Sequence, residues 1–298
     1  MKTIYKSTIA SPLFWAIIFL SFLPSLLTAQ KRDSLTLVNG AWVTKEIEPG
    51  IELRQIHFAK DELFNSSQFI SIVEIKPTSG KKIEIIASPT LIETNTLAAQ
   101  NNAIAAINGS FFKFNYKPNT VDYNSVDYIR KDGEQLAPNT YTSSSRSMHQ
   151  TGAIAIYNQE LYILKADQLK EWEKYIQAPH VITTGPILRV NGQDQELNEN
   201  SFYTNRHPRT AVAKKENGNI LLFTVDGRSK KSMGMSLEEL QKTLRWLGAS
   251  YIINLDGGSS TTMYVKGQSE NGLVNHPSDN KKFNNKGARK VANIIIVK

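Results

Sequence analysis

Apolar and polar residues alternate with a period of two in many short runs along the chain, a pattern typical of half-buried β-strands. Turn-forming residues, chiefly Asn, Gly, Pro and Lys, separate most of these runs. Two pairs of runs are joined closely enough to predict hairpins, one through residues 158–160 and one through residues 214–219. The runs are 70–77, 82–88, 103–108, 153–158, 161–165, 187–192, 209–214, 220–226, 251–256, 262–267 and 291–298.

Helical periodicity is confined to three segments. The clearest is residues 236–249, in which four leucines recur at helical spacing. Ser236 and Glu239 form a capping box at its start, and Gly248 supplies a stop signal. Weaker patterns predict helices over 91–102 and 167–176.

The proportion of strands to helices predicts the fold class. It is α+β, with mixed, mostly antiparallel sheets and a few packed helices in a single domain. No repeat, low-complexity linker or charge block marks a domain boundary. The domain is expected over 31–298, with lead-in strands in 31–90 and a motif-bearing core in 91–298.

The first thirty residues have the composition of a signal peptide. Lys2 and Lys6 precede a short apolar stretch, and small residues near Ala29 suit a cleavage site. We therefore expect residues 1–30 to be removed and the protein to be exported to the periplasm or the cell exterior of a bacterium. No stable membrane insertion is expected after cleavage; an uncleaved anchor is the alternative. The sequence has no cysteine, which excludes disulfides and a lipid anchor on cysteine.

The chain carries a mild basic excess. Its formal charge is +8, from 35 Lys and Arg against 27 Asp and Glu, and it falls to +6 without Lys2 and Lys6. Such an excess suits anionic partners such as phosphorylated glycans, or it reflects solubility alone.

Polar residues beside glycines gather at the ends of four predicted strands. The groups are Asn108 to Ser110, Arg206 to Arg209, Asp226 to Ser229, and Asp256 to Ser259. Glycine at such positions lets the backbone approach a ligand closely. Taken singly, each group also has a structural interpretation, because Asp-Gly and Asn-Gly are common turns and the arginines can pair with carboxylates. His207 can likewise be a packed loop histidine.

Taken together, these segments resemble the phosphodiester glycosidase family. The resemblance covers most of residues 100–298, whereas 31–90 matches only in strand pattern. Ala213 and Ser259 stand where many members carry glycine, which places the fit of the substrate in question. The matching segments, in family order, are AAINGSFF, GPILRVNGQ, RHPRTAVA, LLFTVDGRS, GMSLEELQKTLRWLGA, INLDGGSSTTMYVKG and VNHPS followed by ARKVANIIIV.

The resemblance implies hydrolysis of a sugar-1-phosphodiester of the N-acetylglucosamine type. The bond between the anomeric carbon and the phosphodiester oxygen breaks, releasing free sugar and a phosphomonoester. Because a phosphomonoester leaves as a stable anion, such a site must bind an anion and stabilise positive charge on the sugar more than it must donate a proton. The implied catalytic residues are Asp256, Asp226 and His207. The implied substrate-binding and phosphate-binding residues are Asn108, Arg209, Thr210, Arg228, Gly257, Gly258, Ser259 and Ser260.

Within this scheme, Arg209 and Arg228 hold phosphate oxygens together with the amides of Gly257 and Gly258. Both aspartates are expected to be ionised near neutral pH and to face the developing oxocarbenium ion, or one acts as nucleophile or base. His207 would move a proton, and Asn108 would bind a sugar hydroxyl.

Several alternatives remain open at this stage. No cofactor is expected to be required, although Asp226, Asp256 and Asn108 are oxygen ligands suited to calcium or magnesium. A non-hydrolytic glycan-binding or exopolysaccharide-processing envelope protein is the main alternative. A phosphodiesterase that cuts the phosphorus–oxygen bond usually needs clustered carboxylates and histidines, whereas the five histidines here are scattered. No nucleic-acid partner is expected, and the oligomeric state is open. The polar segment 113–136 is either a functional loop or a solvated insertion.

Overall fold

The computed structural model describes residues 31–113, 122–140 and 147–298, and these ranges form three antiparallel sheets with a few helices. The predicted signal peptide, residues 1–30, lies outside them. The largest sheet contains, in spatial order, β1 (Val43–Glu48), β2 (Ile51–Leu63), β3 (Ser66–Ile75), β14 (Ile220–Val225), β13 (Arg209–Lys215), β15 (Ala249–Asn254), β11 (Ile187–Val190) and β12 (Gln193–Asp194).

The two smaller sheets pack against one face of the large one. The five-stranded sheet has the order β7 (Glu134–Ala137), β6 (Ile129–Lys131), β10 (His180–Thr184), β8 (Gly152–Tyr157) and β9 (Glu160–Lys165). The four-stranded sheet has the order β16 (Met263–Val265), β5 (Ala105–Asn108), β17 (Lys290–Val297) and β4 (Ile83–Glu93). The main core lies between the three sheets and contains, among others, Ile107, Ile154, Val212, Ile253 and Ile295.

The helices are α1 (31–38), α2 (Thr94–Gln100), α3 (Ser201–Thr204) and α4 (Leu237–Trp246). Helix α4 begins with the predicted capping box, in which the Ser236 hydroxyl accepts from the Glu239 amide and the Glu239 carboxylate accepts from the Ser236 amide. Leu240 and Leu244 are buried against the second face of the large sheet. This packing explains why the leucine spacing in the sequence predicts the helix correctly.

The α+β fold class and both predicted hairpins are confirmed, since Tyr157 pairs with Glu160 and Lys214 pairs with Ile220. The lead-in strands β1 to β3 continue the large sheet, with β3 beside β14. Within the part of the chain that the structure describes, no helix is both long and apolar enough to cross a membrane.

The helix predicted over 167–176 is wrong. Only Trp172–Tyr175 forms a 3-10 turn there. Glu171, just before it, has a φ of +57°, a left-handed conformation that interrupts a right-handed helix. Trp172 is 5% exposed and packs in a small cluster with Tyr128, so tertiary packing rather than helical periodicity determines this segment.

Candidate active site

Asp256 lies in the turn between β15 and β16 that contains the 3-10 helix Gly258–Ser260. The residue is half-buried, and desolvation of its carboxyl group by the surrounding protein raises its pKa to about 7. Hydrogen bonds from the Ser260 hydroxyl and the Gly257 amide oppose the rise. This pKa corrects the expectation that Asp256 is ionised at neutral pH. That expectation did not take the burial of the turn into account.

Asp127 is a second buried carboxyl group near Asp256, and sequence reasoning missed it. It lies in the polar segment 113–136 and is fully buried. Burial raises its pKa to about 6. Hydrogen bonds from the His149 ring and from the Phe111 amide, which donates to Oδ2 at 3.1 Å, act in the opposite direction. Its negative charge contributes to the raised pKa of Asp256.

The loop after β5 connects the two carboxylates. The Asp256 amide donates to the Gly109 carbonyl at 3.1 Å, and the Phe111 amide donates to Asp127. Because Gly109 and Phe111 are two residues apart, their Cα atoms are separated by no more than about 7 Å. The described part of segment 113–136 therefore contributes to the candidate site rather than forming only a solvated insertion.

Asn108 and Thr210 form the framework beneath this pair. The Asn108 amide donates to the Asp256 carbonyl at 2.7 Å, and its oxygen accepts from the Thr210 hydroxyl at 2.7 Å and the Thr262 amide at 3.1 Å. Asn108 is 1% exposed and Thr210 is fully buried. These contacts join β5, β13 and the Asp256 turn, so both residues position the backbone of the site.

The last strand of the described chain supports the same loop. Asn293, in β17, accepts a hydrogen bond from the Ser110 amide at 2.7 Å, and its backbone carbonyl accepts from Gly109. A Cβ atom at Gly109 would overlap the Asn293 side chain. The close approach therefore explains the glycine in the Asn-Gly-Ser segment.

Asp226 lies at the end of β14, where it is 1% exposed. One carboxylate oxygen accepts from the Asn275 side-chain amide at 2.8 Å. The other accepts from the His276 backbone amide at 2.9 Å and lies 2.8 Å from Nδ1 of the same histidine. Asn275 also donates to the Thr261 carbonyl at 3.1 Å. Asp226 thus holds the segment around His276 against the Asp256 turn, and His276 is a second residue that sequence reasoning missed.

Arg209 is 1% exposed and holds backbone groups in place. Its Nε donates to the Met235 carbonyl at 2.9 Å, and Nη2 donates to the carbonyls of Phe202 and Asn205 at 2.7 and 3.0 Å. Burial lowers its pKa to about 10. Within the described residues Nη1 has no hydrogen bond, so it is the atom left for the predicted phosphate contact.

Arg206 and His207, which come shortly before Arg209 in the sequence, differ in their contacts. Arg206 pairs with Glu239, its Nη2 lying 2.6 Å from the carboxylate, as the structural interpretation of this arginine predicts. His207 is half-buried, and burial together with the charges of Arg209 and Arg228 lowers its pKa. A neutral imidazole is therefore the main form of His207 near pH 7.

Arg228 is exposed and adjoins the Gly-rich turn. Its Nη1 donates to the Ser259 hydroxyl at 2.8 Å. Gly258 has a φ of +61°, and a Cβ atom there would lie 2.9 Å from Arg228 Nη2. The backbone conformation therefore favours glycine, whereas the exposed end of the arginine could shift to make room for a Cβ atom.

The amide of Gly258 is occupied within the protein, where it donates to the Pro208 carbonyl at 2.8 Å. This corrects the prediction that the Gly258 amide binds phosphate. The bond ties the turn to the residue just before β13. The Gly257 amide favours the ionised form of Asp256, and its contact with phosphate stays a prediction.

Two of the five histidines are paired with buried aspartates, His149 with Asp127 and His276 with Asp226. Long-range folding produces both pairs, which is why the histidines look scattered in sequence. Among the described residues, no group of three or more His, Cys, Asp or Glu side chains is arranged to hold a metal ion.

Comparison with known proteins identifies the class to which this fold and site belong. Residues 101–298 match the family model described as phosphodiester glycosidase, and the chain belongs to this family. A stretch of 88 residues is 35% identical to mouse N-acetylglucosamine-1-phosphodiester alpha-N-acetylglucosaminidase and covers 29% of this chain and 16% of the mouse protein. Another of 74 residues is 32% identical to the SPbeta prophage-derived uncharacterized protein YomE of Bacillus subtilis, covering 25% and 11% of the two chains. The match thus spans less than a fifth of either relative.

The fold is shared with a solved structure of the same family. The zebrafish N-acetylglucosamine-1-phosphodiester alpha-N-acetylglucosaminidase catalytic domain, auto-inhibited by its pro-peptide, superposes with a TM-score of 0.61. The alignment covers 86% of this chain and 87% of that one at 18% sequence identity. It therefore extends beyond the family-model region to the lead-in strands.

Proposed function

We propose that this protein is an exported hydrolase that cleaves the anomeric carbon–oxygen bond of a sugar-1-phosphodiester of the N-acetylglucosamine type. The observation that carries the proposal is the position of Asp256, a half-buried carboxyl group held against the loop that also binds Asp127, within the region that matches the phosphodiester glycosidase family. Desolvation raises its pKa to about 7. A pKa near the working pH is the value that suits a general acid or base.

The chemistry favours Asp256 as a base. The departing phosphomonoester is a stable anion, so it needs little protonation. In its ionised form Asp256 takes a proton from a water molecule whose oxygen attacks the anomeric carbon. The electron pair of the carbon–oxygen bond goes to the phosphate oxygen, and the proton on Asp256 passes to solvent.

Three features support the binding of the phosphate close to this carboxyl group. Arg228 is exposed beside Ser259, and Arg209 keeps Nη1 without a hydrogen bond to any described residue. His207 lies near both arginines and, with its lowered pKa, is mainly a neutral hydrogen-bonding group. Asp127 and His149 would position the loop at Phe111 that faces Asp256.

The test is hydrolysis of a synthetic N-acetylglucosamine-1-phosphate methyl diester, with both anomers, in water enriched in heavy oxygen. Label in the sugar supports carbon–oxygen cleavage, and label in the phosphate contradicts it. Asp256→Asn should lower kcat by about 10²–10⁴. Asp132→Asn, at an aspartate whose side chain is 75% exposed, is the matched control and should retain activity. Binding without turnover would instead favour a non-hydrolytic glycan-binding protein.

Export is supported by the signal-peptide pattern of residues 1–30. We expect the mature chain to begin near residue 31. Terminal sequencing of protein recovered from the periplasm or the culture medium of its bacterial host tests this expectation, and recovery only from the cytoplasm would contradict it.

A further inference from the structure

A cationic cleft opens beside the Asp256 turn. It has a volume of about 290 Å³, and its wall includes Arg228, Arg289, Lys281 and Lys282. Asp279 is the one carboxylate among its described lining residues. Four positive charges and one negative charge give the lining a net charge of +3 when His276 is counted as neutral. A concave surface with this balance concentrates anions.

Most of these positive charges are not neutralised within the protein. Arg289 lies 2.6 Å from Asp279, but Arg228, Lys281 and Lys282 form no ion pair with any residue in the described ranges. A phosphodiester carries one negative charge, which Arg228 beside the Asp256 turn can match. The charges of Lys281 and Lys282 therefore exceed what the scissile group alone requires.

The cleft adjoins the Asp256 turn. Arg228 donates to Ser259, which is in the same turn as Asp256 and also lines the cleft. The charge of Arg289 reaches Asp256, where it opposes the rise in pKa that burial causes. A substrate with its sugar at Asp256 can therefore extend its other end into the cleft.

The remaining wall of the cleft includes an aromatic ring and a hydroxyl group. The Phe283 ring stacks on His276 with ring centroids 3.9 Å apart and planes 12° apart. The Ser278 hydroxyl is buried and has no hydrogen-bond partner among the described residues. It is an unsatisfied polar group in the wall of the cleft.

We propose that this cleft binds a second phosphate group, carried by the part of the substrate that leaves with the scissile phosphate. The inference rests on the proposed function and names its substrate class: a multiply phosphorylated glycan or polyol phosphate rather than a singly charged diester. Arg228 holds the scissile group, and Lys281, Lys282 and Arg289 hold the additional one.

The test compares two substrates that differ only in the second charge. One is an N-acetylglucosamine-1-phosphodiester of glycerol, and the other has a further phosphate on the glycerol. The doubly charged substrate should have a kcat/KM about tenfold higher at low salt, because two exposed cations act on it. Lys281→Gln combined with Lys282→Gln should remove this preference, lowering kcat/KM for the doubly charged substrate more than for the singly charged one.

The control is Lys81→Gln with Lys82→Gln, another adjacent lysine pair, which lies just before β4 and does not line the cleft. It removes the same charge and should preserve the preference. Equal kcat/KM values for the two substrates, or an unchanged preference in the Lys281 and Lys282 variant, would overturn the inference while the proposed function stands.

A binding measurement separates the two hypotheses if neither substrate is hydrolysed. Calorimetric titration of the full chain with glycerol 3-phosphate should show binding that weakens about tenfold in the Lys281 and Lys282 variant but not in the control. Loss of hydrolysis with this binding intact would contradict only the proposed function. The absence of charge-dependent binding would contradict the cleft as an anion site. Urea unfolding of each variant confirms that it is folded.

Discussion

Replacing Asp256 with asparagine should stabilise the protein above neutral pH while it removes the carboxylate proposed to be catalytic. The pKa of this group is about 7 in the folded chain, against an ordinary value of 3.8. The folded state therefore binds the proton more tightly than the unfolded state does. The resulting contribution to stability is complete below about pH 4 and is lost as the pH rises through 7.

The magnitude follows from the difference between the two pKa values. Each unit of pKa corresponds to 1.36 kcal/mol, so ionising Asp256 in the folded chain costs up to about 4 kcal/mol. Since part of the residue reaches the surface, about 2–4 kcal/mol is the expected range after solvent screening. Asparagine keeps an oxygen that can accept from Ser260 and Gly257 without carrying the charge.

The assay is urea unfolding of wild type and Asp256→Asn at pH 4, 6 and 8. The free energies of unfolding should agree at pH 4, and the variant should be more stable by about 2–4 kcal/mol at pH 8. Asp132→Asn, at an exposed side chain, should show no such trend. A variant that is equally or less stable than wild type at pH 8 would refute the burial of this carboxyl group as the cause of its raised pKa.

Three further predictions concern catalysis and folding. If Asp256 acts as a base, kcat should rise with pH through a midpoint near 7, its pKa; a fall above pH 7 in the pH–rate profile would identify it as an acid instead. Arg209→Met should lower the free energy of unfolding by about 3–5 kcal/mol in urea, because three backbone carbonyls lose their donor; a loss below about 1 kcal/mol would contradict its framework role. Ser236→Ala should cost about 1 kcal/mol in the same assay through loss of the α4 cap, and Ser236→Thr should retain most of it.

The elements that sequence predicts correctly are those whose determinants are local. The leucine spacing and capping box of α4 lie within one segment, and both hairpins depend on turns a few residues long. The residues 167–176 carry a similar local pattern, yet Trp172 packs into a cluster with Tyr128 and the helix does not form. Local periodicity cannot show such a competing long-range contact.

The candidate site also contains residues that the local sequence reveals and residues that only long-range folding brings into place. The Gly-rich turn with Asp256 is recognisable because a single strand end concentrates a carboxylate, glycines and hydroxyls. Asp127 is not recognisable, since it lies in a polar segment and its partner His149 is 22 residues away. Its proximity to Asp256 requires the loop after β5 to lie between them, which only the folded chain reveals.

The position of β17 determines when the site can exist during synthesis. This strand lies between β5 and β4, and its Asn293 holds the loop that carries Gly109 and Ser110. A growing polypeptide that has not yet emerged beyond residue 293 lacks this support, so the loop of the candidate site remains unassembled on the ribosome. For the exported hydrolase proposed above, that order of assembly would keep unfinished molecules inert.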